Sequence, residues 1–167
     1  MKKLEKNIAT VIVTDIVGYS KLTGDNQELA LELLSEHDKI IISSLENFRG
    51  EVVVNRGDGF VAIFKNPFDA ILCSIDVQLQ IKRRNKFNIK SRLFLIRIGI
   101  HTGPYSKEGS DYYGECIDVA SLLEPLAPVG GILISTFLNS LIELEDNIYT
   151  REYKKITIND SNEMSYE

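Results

Sequence analysis

Two aspartates stand where the sequence could build a metal site. Asp15 closes an apolar, β-branched run, ATVIVT at 9–14, and Asp58 lies between Gly57 and Gly59 at a polar break between two further apolar runs. A carboxylate is a hard oxygen donor of the kind that Mg²⁺ prefers. Two carboxylates that meet at one sheet edge repel each other unless a cation lies between them. These residues therefore indicate metal-assisted phosphate chemistry, although a surface turn also favours Asp and Gly.

The elements that carry both aspartates are predicted to be neighbouring strands. The run 9–14 has the composition of a buried central strand, and residues 52–64, VVVNRGDGFVAIF, are typical of a β-hairpin with Asp58 at its tip. Adjacent central strands would bring Asp15 and Asp58 together. The chain leaves the first strand through Gly18-Tyr19-Ser20, a strand-to-helix turn whose outward backbone N–H groups favour anions.

The composition is that of one ordinary globular domain. Of 167 residues, 44% are hydrophobic and 26% are charged, which is enough apolar material for a single core, so residues 1–167 are predicted to form one domain. The net charge of −5 and the pI of about 5.2 argue against a nucleic-acid partner, because a broad nucleic-acid surface needs clustered Lys and Arg. Phosphate ligands would therefore have to be held through metal.

Neither a membrane span nor a secretion signal is expected. No apolar run reaches the roughly 18 residues that a membrane helix requires, and Asp15 interrupts the N-terminal segment before a signal-peptide core could form. We therefore expect a cytoplasmic protein. Its two cysteines, Cys73 and Cys116, lie in predicted helices without metal-ligand spacing and are predicted to be buried free thiols.

The remaining pattern predicts further helices and strands. Asp25 and Glu28 have capping-box spacing ahead of a long amphipathic helix, in which His37 is predicted to be a hydrogen-bonded core residue. The basic segment 82–92 is predicted to be a solvated loop. The other predicted elements are a helix from Asn66, a strand over 93–101, a connection over 102–111, a helix over 113–124, a strand over 132–134, a helix from Ser135 to about Leu144, and a final hairpin.

This order of elements predicts an α+β fold. Strand, helix, hairpin, helix, strand, helix and strand in succession fit a ferredoxin-like, palm-type sandwich. The expected architecture is a mostly antiparallel central sheet with helices on one face. In such a sheet the strand ends that carry Asp15 and Asp58 lie at the same edge.

Several ordered motifs resemble the class III nucleotidyl cyclases, the family that forms adenylate and guanylate cyclic monophosphates. Residues 14–23, TDIVGYSKLT, resemble the family's opening metal motif, and residues 50–64 resemble its second metal hairpin. Residues 96–103, IRIGIHTG, are similar to its later signature strand, and the similarity continues to Ser135. The resemblance covers nearly the whole chain.

The resemblance implies a substrate, a cofactor and a partner. The family converts a nucleoside triphosphate to a 3′,5′-cyclic monophosphate and pyrophosphate with two Mg²⁺ or Mn²⁺ ions. By resemblance the metal contacts fall on Asp15, Ile16 and Asp58, and both aspartates are catalytic through the metal. Gly18-Tyr19-Ser20 matches the turn that holds phosphate oxygens. The family site lies between two catalytic domains, so this chain would act as a homodimer.

The second half of the site departs from the family pattern. Val54 stands where adenylate-forming members have a base-contacting Lys, while Asp111 matches the acidic partner of that Lys. Asp118 replaces the Asn that positions the ribose and is a weak catalytic candidate, and Leu122 replaces the Arg that steadies charge on the reacting phosphate. Lys154 matches a lysine that contacts the phosphates. Loss of one preorganised charge typically lowers the rate about 10²–10³-fold.

Two functions remain open. The first is a homodimeric cyclase with altered base choice, which the retained Asp15 and Asp58 favour. The second is a cyclase-like domain that binds metal and nucleotide without turnover and acts as a regulatory or dimerisation module, which Val54, Asp118 and Leu122 favour. A diguanylate cyclase is a weaker third interpretation, because the hairpin lacks the paired acidic residue of that related fold.

Overall fold

A computed structural model of the chain describes residues 7–143, 147–158 and 161–167, with the backbone alone for Ile158 and for 161–164. Within these ranges the strands are β1 (Asn7–Ile16), β2 (Glu51–Asn55), β3 (Phe60–Phe64), β4 (Ile96–Glu108), β5 (Asp111–Tyr113), β6 (Ile132–Ser135), β7 (Glu152–Ile158) and β8 (Ser161–Tyr166). The α-helices in the same ranges are α1 (Tyr19–Asp25), α2 (Gln27–Asn47), α3 (Pro67–Lys86), α4 (Glu115–Leu123) and α5 (Thr136–Ile142). None of these described helices is both long and apolar enough to span a membrane.

The described strands form one sheet in the order β2-β3-β1-β4-β6-β8-β7, with the short β5 paired to the far end of β4. β1 lies between β3 and β4 and is antiparallel to both. The pair β4–β6 is parallel, and the other strand pairs of this sheet are antiparallel. The prediction of an α+β fold with a mostly antiparallel central sheet is therefore confirmed.

β1 is central because its side chains are apolar on both faces. Ile12 packs on one face in a cluster that includes Ile98 of β4. Val11 and Val13 belong to a second cluster on the other face. A strand that is buried on both faces needs such a continuous β-branched run, which is the pattern that predicted a central strand at 9–14.

The helices cover both faces of the sheet, which corrects the prediction of helices on one face. α2, α3 and α5 pack on the face of Ile12. α4 packs on the opposite face, where Ala120 joins the cluster of Val11. Gly99 of β4 allows this close approach, because a Cβ there would lie 2.4 Å from the Ala120 carbonyl oxygen. The apolar stripe of a helix shows which of its sides is buried, but it is the same for either face of a sheet.

Boundaries of the two longest helices differ from those predicted, and α4 begins at Glu115 rather than at residue 113. The long helix α2 begins after Asn26 rather than at Asp25, because the Asn26 Oδ1 accepts a hydrogen bond from the Leu29 N–H at 3.0 Å. α3 continues through Lys86, so the first part of the segment 82–92 is helical rather than a loop. Basic residues in the last turn of a helix interact favourably with the helix dipole, so this composition suits a helix end as well as a loop.

The prediction of a connection over 102–111 is wrong, because β4 runs to Glu108 and β5 begins at Asp111. Pairing with β1 decides the structure of this polar segment, and the register continues as far as Tyr105 opposite Asn7. Glycine and polar residues lower the intrinsic preference for a strand, but tertiary pairing overrides that preference here.

The described elements that follow Gly131 agree with the prediction. Ser135 caps α5, since its Oγ accepts a hydrogen bond from the Leu138 N–H at 3.3 Å. α5 ends at Ile142, and the predicted end at Leu144 lies outside the described residues. β7 and β8 pair as the predicted final hairpin.

Both cysteines and His37 are buried, as predicted. Cys73 and Cys116 are free thiols, and burial raises the pKa of Cys73 to about 12 and that of Cys116 to about 11. Thiols with such pKa values are unreactive at neutral pH. The His37 Nδ1 lies 2.9 Å from Asp38 Oδ1, which provides the expected hydrogen bond.

The second histidine, His101, leads to a prediction about stability and pH. Burial lowers the pKa of His101 to about 4, from the ordinary histidine value of about 6.5. The unfolded chain therefore binds a proton that the folded chain does not. Proton binding by the unfolded chain therefore leaves stability unchanged above about pH 6.5 and lowers it progressively as the pH falls from about 6.5 to about 4. We expect the free energy of unfolding to fall by about 2–3 kcal/mol over this range through His101 alone.

Urea unfolding of the wild type and of His101→Gln on both sides of this pH range measures the effect. Glutamine keeps a polar group near Ser135, whose Oγ lies 2.7 Å from the His101 Nδ1. The variant should lose less stability than the wild type on acidification. Equal losses in the two proteins, or an NMR titration midpoint of His101 near the ordinary histidine value, would contradict the prediction.

Candidate active site

Asp15 and Asp58 lie beside each other at one end of the central strands, as the sequence predicts. Asp15 is near the end of β1, and Asp58 lies in the turn between β2 and β3. The Ile16 N–H donates to the Asp58 carbonyl at 3.0 Å, and the Phe60 N–H donates to Thr14 Oγ1 at 3.0 Å. These two hydrogen bonds fix the turn against the strand that carries Asp15.

Glycines shape the turn that carries Asp58. Gly57 has a φ of +90°, in the left-handed region that favours glycine, and its N–H donates to Asn55 Oδ1 at 2.8 Å. At Gly59 an added Cβ would lie 2.0 Å from the Thr14 carbonyl oxygen, so no side chain fits there. The second glycine is therefore needed for the close approach of the turn to β1.

The negative charge of Asp58 opposes the ionisation of Asp15. Asp15 is half-buried, and its pKa is raised first by burial and then by the negative charge of Asp58, while Arg97 and Arg56 partly offset the shift. A divalent cation between the carboxylates would remove this repulsion, and carboxylate oxygens suit Mg²⁺ or Mn²⁺. The arrangement of charge therefore fits a metal ion held by Asp15 and Asp58.

Further ligands for such an ion would have to be backbone or substrate oxygens. Among the residues that the structure describes, no group of three or more His, Cys, Asp or Glu side chains could hold a metal ion. The apolar side chain of Ile16 is buried, so the metal contact predicted for Ile16 would use its backbone carbonyl. Mg²⁺ is usually bound by one or two carboxylates together with substrate phosphates and water, which agrees with this donor set.

The predicted phosphate turn follows β1 directly. Gly18 has a φ of +74° and caps α1, which begins at Tyr19. The Val17 N–H donates to the Leu95 carbonyl at 2.9 Å, which ties the turn to the residue before β4. Ser20 is exposed, and the first amides of a helix have no acceptor within the helix. The turn therefore carries the backbone donors that phosphate binding requires, close in the chain to the carboxylate pair.

The residues predicted to contact base, ribose and phosphate lie on four different elements. Val54 on β2 and Asp111 at the start of β5 are exposed. Asp118 and Leu122 are also exposed and lie one turn apart on α4. Lys154 is half-buried on β7. None of these residues lies on β1 or in the turn that carries Asp58.

Lys154 lies far from Asp15 across the sheet. β7 is four strand steps from β1, along β1-β4-β6-β8-β7. At about 4.8 Å between neighbouring strands this separation is roughly 19 Å, which exceeds the reach of a lysine side chain. The two side chains therefore do not meet inside one chain.

Three charged residues near Asp15 were missed at the sequence level. Arg97 pairs with Asp15 in the β1–β4 ladder, and Arg56 lies in the turn beside Asp58. The pKa of Glu124 is raised to about 7, first by burial and then by the charge of Asp15, with Arg97 opposing. Within the described residues, the Arg97 Nε and the Glu124 Oε1 are buried atoms without a hydrogen-bond partner. More charged groups therefore surround the carboxylate pair than the sequence indicates.

One of these residues had a signal in the sequence. Arg97 is a cation inside the apolar run 93–101, LFLIRIGIH, and a charged residue in a buried strand needs a partner. Glu124 lies at the predicted end of a helix, where an exposed carboxylate is ordinary. Its approach to Asp15 depends on which face of the sheet α4 covers, and the sequence does not carry that information.

Comparison with known proteins decides the family. The family model of the adenylate and guanylate cyclase catalytic domain matches residues 1–166. The chain belongs to this family. The resemblance drawn from the sequence motifs is therefore confirmed over nearly the whole chain.

Curated relatives match this cyclase domain over part of their own length. The chain is 27% identical over 142 residues to the putative adenylate cyclase 3 of Rhizobium meliloti (strain 1021). This match covers 84% of the chain and 24% of that relative. The chain is 26% identical over 131 residues to the serine/threonine-protein kinase pkn2 of Myxococcus xanthus, and this match covers 78% of the chain and 16% of that relative. The chain thus spans less than a quarter of the length of these two relatives.

Solved structures share the fold of the cyclase domain. An adenylate/guanylate cyclase/hydrolase from Silicibacter pomeroyi superposes with a TM-score of 0.88 at 21% identity, covering 98% of this chain and 97% of that one. The adenylyl cyclase CyaB from P. aeruginosa superposes with a TM-score of 0.83 at 24% identity, covering 98% and 94%. These TM-scores establish the palm-type fold, and at such low identities function has to be argued from the site.

Proposed function

We propose that this domain is a nucleotidyl cyclase that converts a nucleoside triphosphate to a 3′,5′-cyclic monophosphate and pyrophosphate at the interface of a homodimer. The observation that carries the proposal is the pairing of Asp15 with Asp58 beside the turn at Gly18. Metal-assisted phosphoryl chemistry requires such a carboxylate pair next to backbone donors. Membership of the cyclase family supports the type of reaction.

The proposed reaction forms one P–O bond and breaks another. The ribose 3′-oxygen attacks the α-phosphorus in line with the departing pyrophosphate, and the hydroxyl proton is released. Asp15 and Asp58 would hold two Mg²⁺ or Mn²⁺ ions, which supply neutralisation of the phosphate charge and a lowered pKa of the 3′-hydroxyl. Gly18-Tyr19-Ser20 would hold phosphate oxygens through backbone N–H groups and so orient the triphosphate.

A second copy of the chain would complete this site. Asp111 and Lys154 are proposed to contact the base and the phosphates, and Lys154 lies far across the sheet from Asp15. In a two-fold pair, each chain would supply its carboxylate pair to one site and its base-reading half to the other. Val54 and Leu122 are 43% and 41% exposed, and such an interface would cover these apolar side chains.

We place the reaction in the cytoplasm. Its proposed substrate, a nucleoside triphosphate, is an intracellular metabolite. The free thiols of Cys73 and Cys116 are in keeping with a reducing compartment.

A second candidate function is a cyclase-like domain that binds metal and nucleotide without turnover. Leu122 favours this candidate, because an apolar and exposed side chain stands where the family resemblance expects Arg. Asp118 also favours it, since it stands where the resemblance expects Asn. Loss of one preorganised charge typically lowers the rate about 10²–10³-fold. Such a domain would act as a regulatory or dimerisation module.

One assay separates the two candidates. Purified protein is incubated with Mg²⁺ or Mn²⁺ and each of ATP, GTP, CTP and UTP, and the products are separated by mass. A cyclic monophosphate from any of them, lost in Asp58→Asn, supports the enzyme. Metal-dependent nucleotide binding without product supports the second candidate. Absence of both binding and product contradicts both.

Val54 leads to a prediction about base choice. Valine offers a base apolar contact alone, whereas Asp111 can accept a hydrogen bond from an exocyclic amine. Because a site that lacks a hydrogen-bonding partner rejects analogues weakly, we expect ATP and CTP to bind within about tenfold of each other, on the order of 1.4 kcal/mol. Both should bind more tightly than UTP, which has no exocyclic amine.

Calorimetric dissociation constants in Mn²⁺ test this prediction. Val54→Lys is the informative variant, because a lysine there could donate to ring acceptors of adenine and should shift the preference towards ATP. A wild-type preference above about a thousandfold for one triphosphate would show that residues other than Val54 and Asp111 read the base.

A further inference from the structure

A series of side-chain contacts connects the β4–β5 hairpin to β2. The Tyr112 hydroxyl donates to Glu51 Oε1 at 2.8 Å, and the Lys107 ammonium donates to the same hydroxyl. The Lys107 Nζ also lies 4.4 Å from the centre of the Tyr112 ring. The Tyr112 ring stacks with that of Tyr105, at 5.9 Å between centroids. Tyr112 thus connects two strands, β5 and β2, that do not pair with each other in the sheet.

A bulge in β2 places Glu51 and Val54 on the same face. Residues three apart on a regular strand point to opposite faces. Here the register shifts between Val52 and Val54, so that Glu51 pairs with Ile63 and Val54 pairs with Val61. Both partners belong to one cluster on the α4 side, and cross-strand partners share a face. The tyrosine hydroxyl is therefore anchored on the face that carries Val54.

Asp111 is adjacent to this anchor. It precedes Tyr112 in the chain and pairs with Glu108 across the turn at Gly109, which has a φ of +62°. Asp111 is exposed, and the Ser110 Oγ donates to its Oδ1 at 3.4 Å. That contact is too long to hold a carboxylate firmly. The position of Asp111 therefore depends on the strand that Tyr112 anchors.

We propose that Tyr112 is a positioning residue for base recognition, whose hydroxyl, held by Glu51, sets the distance between Asp111 and Val54. The proposal rests on the proposed function, in which Asp111 and Val54 contact the base. Asp15 and the phosphate turn lie on other elements, and two hydrogen bonds fix the turn that carries Asp58 against β1, so loss of the Tyr112 hydroxyl should act on the base pocket. Its loss changes which base is preferred rather than the turnover of bound substrate.

The direct variant is Tyr112→Phe, which keeps the aromatic ring and removes the hydroxyl. We expect the preference for ATP over UTP to fall about fivefold, the effect of one lost hydrogen bond. KM for ATP and CTP should rise while kcat stays the same, because the base contact holds ground state and transition state equally. A purely structural role would lower the active fraction for every nucleotide and leave the preference unchanged.

The hairpin offers a matched control. The Tyr113 hydroxyl donates to Glu108 Oε2 at 3.3 Å within the hairpin, so Tyr113→Phe removes a hydroxyl without touching the link to β2. Glu51→Ala should reproduce the effect of Tyr112→Phe, whereas Glu51→Gln keeps an accepting oxygen and should retain the preference. Adding Glu51→Ala to Tyr112→Phe should change nothing further, since both remove the same hydrogen bond.

Two measurements separate this proposal from the proposed function. Calorimetric dissociation constants of ATP, CTP and UTP in Mn²⁺ do not need turnover, and amide hydrogen exchange over 108–113 does not need nucleotide. Exchange should be faster in Tyr112→Phe than in Tyr113→Phe. If the wild type binds nucleotides and Tyr112→Phe leaves the ATP-to-UTP ratio unchanged, the positioning role alone is overturned. If the wild type binds no nucleotide, the proposed function fails, and the role in base recognition fails with it whatever the exchange shows.

Discussion

Asp58→Asn and Asp15→Asn are each expected to weaken metal-dependent triphosphate binding by on the order of a hundredfold or more. Substitution of a residue that merely supports a metal ligand typically costs about 10–100-fold in metal affinity, and these aspartates are the proposed ligands themselves. Asparagine keeps the shape of the side chain but carries no charge to offset the cation. Calorimetric titration of ATP in Mn²⁺ measures the loss.

Without metal, in EDTA, Asp15→Asn should not lower the thermal stability of the protein. The pKa of Asp15 is raised by burial and by the charge of Asp58, so its ionised form is unfavourable in the folded chain. Asparagine removes that unfavourable charge, and we expect the midpoint of thermal unfolding to be unchanged or higher. A weak binder that is at least as stable as the wild type cannot owe its loss to misfolding.

Asp25→Asn is the matched control for both measurements. It makes the same chemical change at an exposed aspartate at the end of α1. This control should leave ATP affinity and thermal stability as they are in the wild type. Unchanged nucleotide affinity in both Asp15→Asn and Asp58→Asn would rule out the metal assignment.

The meeting of Asp15 and Asp58 could be predicted because local sequence carries it. A β-branched run specifies a strand that is buried on both faces, and such a strand has neighbours on both edges. The Gly57-Asp58-Gly59 turn joins two apolar runs into a hairpin, which is a suitable neighbour for that strand. Each element was identifiable alone, and one pairing between them was enough to bring the two carboxylates together.

The place of Glu124 in the site could not be predicted, because Glu124 reaches Asp15 through tertiary packing. Cys116 and Ala120 show which side of α4 is buried, but the same stripe would serve either face of the sheet. Glu124 comes near Asp15 because α4 covers the face opposite α2 and α3. The hydrogen bond from Tyr112 to Glu51 joins residues 61 apart in sequence, and no periodicity indicates such a contact.

The length of β4 could not be predicted from the sequence either. Residues 102–108 carry glycine, proline and charged side chains, which disfavour a strand. They are nevertheless paired, because β1 provides an edge for β4 and β5 continues the ladder. The sequence pattern described the intrinsic preference of this segment, and the neighbouring strands decided its structure. The predicted base contact Asp111 consequently lies on a strand rather than in a loop.

A shared site predicts that two inactive variants restore each other. Asp58→Ala removes the carboxylate half of the site, and Asp111→Ala combined with Lys154→Ala removes the other half. Each protein alone should bind triphosphate weakly and form no product. In a mixed dimer, one site receives an intact half from each chain, and the other site receives both damaged halves.

Equal amounts of the two proteins should recover about a quarter of the wild-type sites after subunit exchange, since half of the dimers are mixed and each has one intact site. Product formation measures the recovery if the wild type turns over, and the stoichiometry of metal-dependent ATP binding measures it otherwise. Mixing Asp58→Ala with Asp15→Ala is the control. Both changes damage the same half, so that mixture should recover nothing.

Recovery in the first mixture and none in the control would mean that Asp58 and Lys154 act on one nucleotide from different chains. The sheet favours this result, because four strand steps of about 4.8 Å separate Lys154 from β1 inside a single chain. If verified exchange restores neither product nor binding, the shared-site model is wrong. The role assigned to Lys154 by resemblance would then have to be withdrawn.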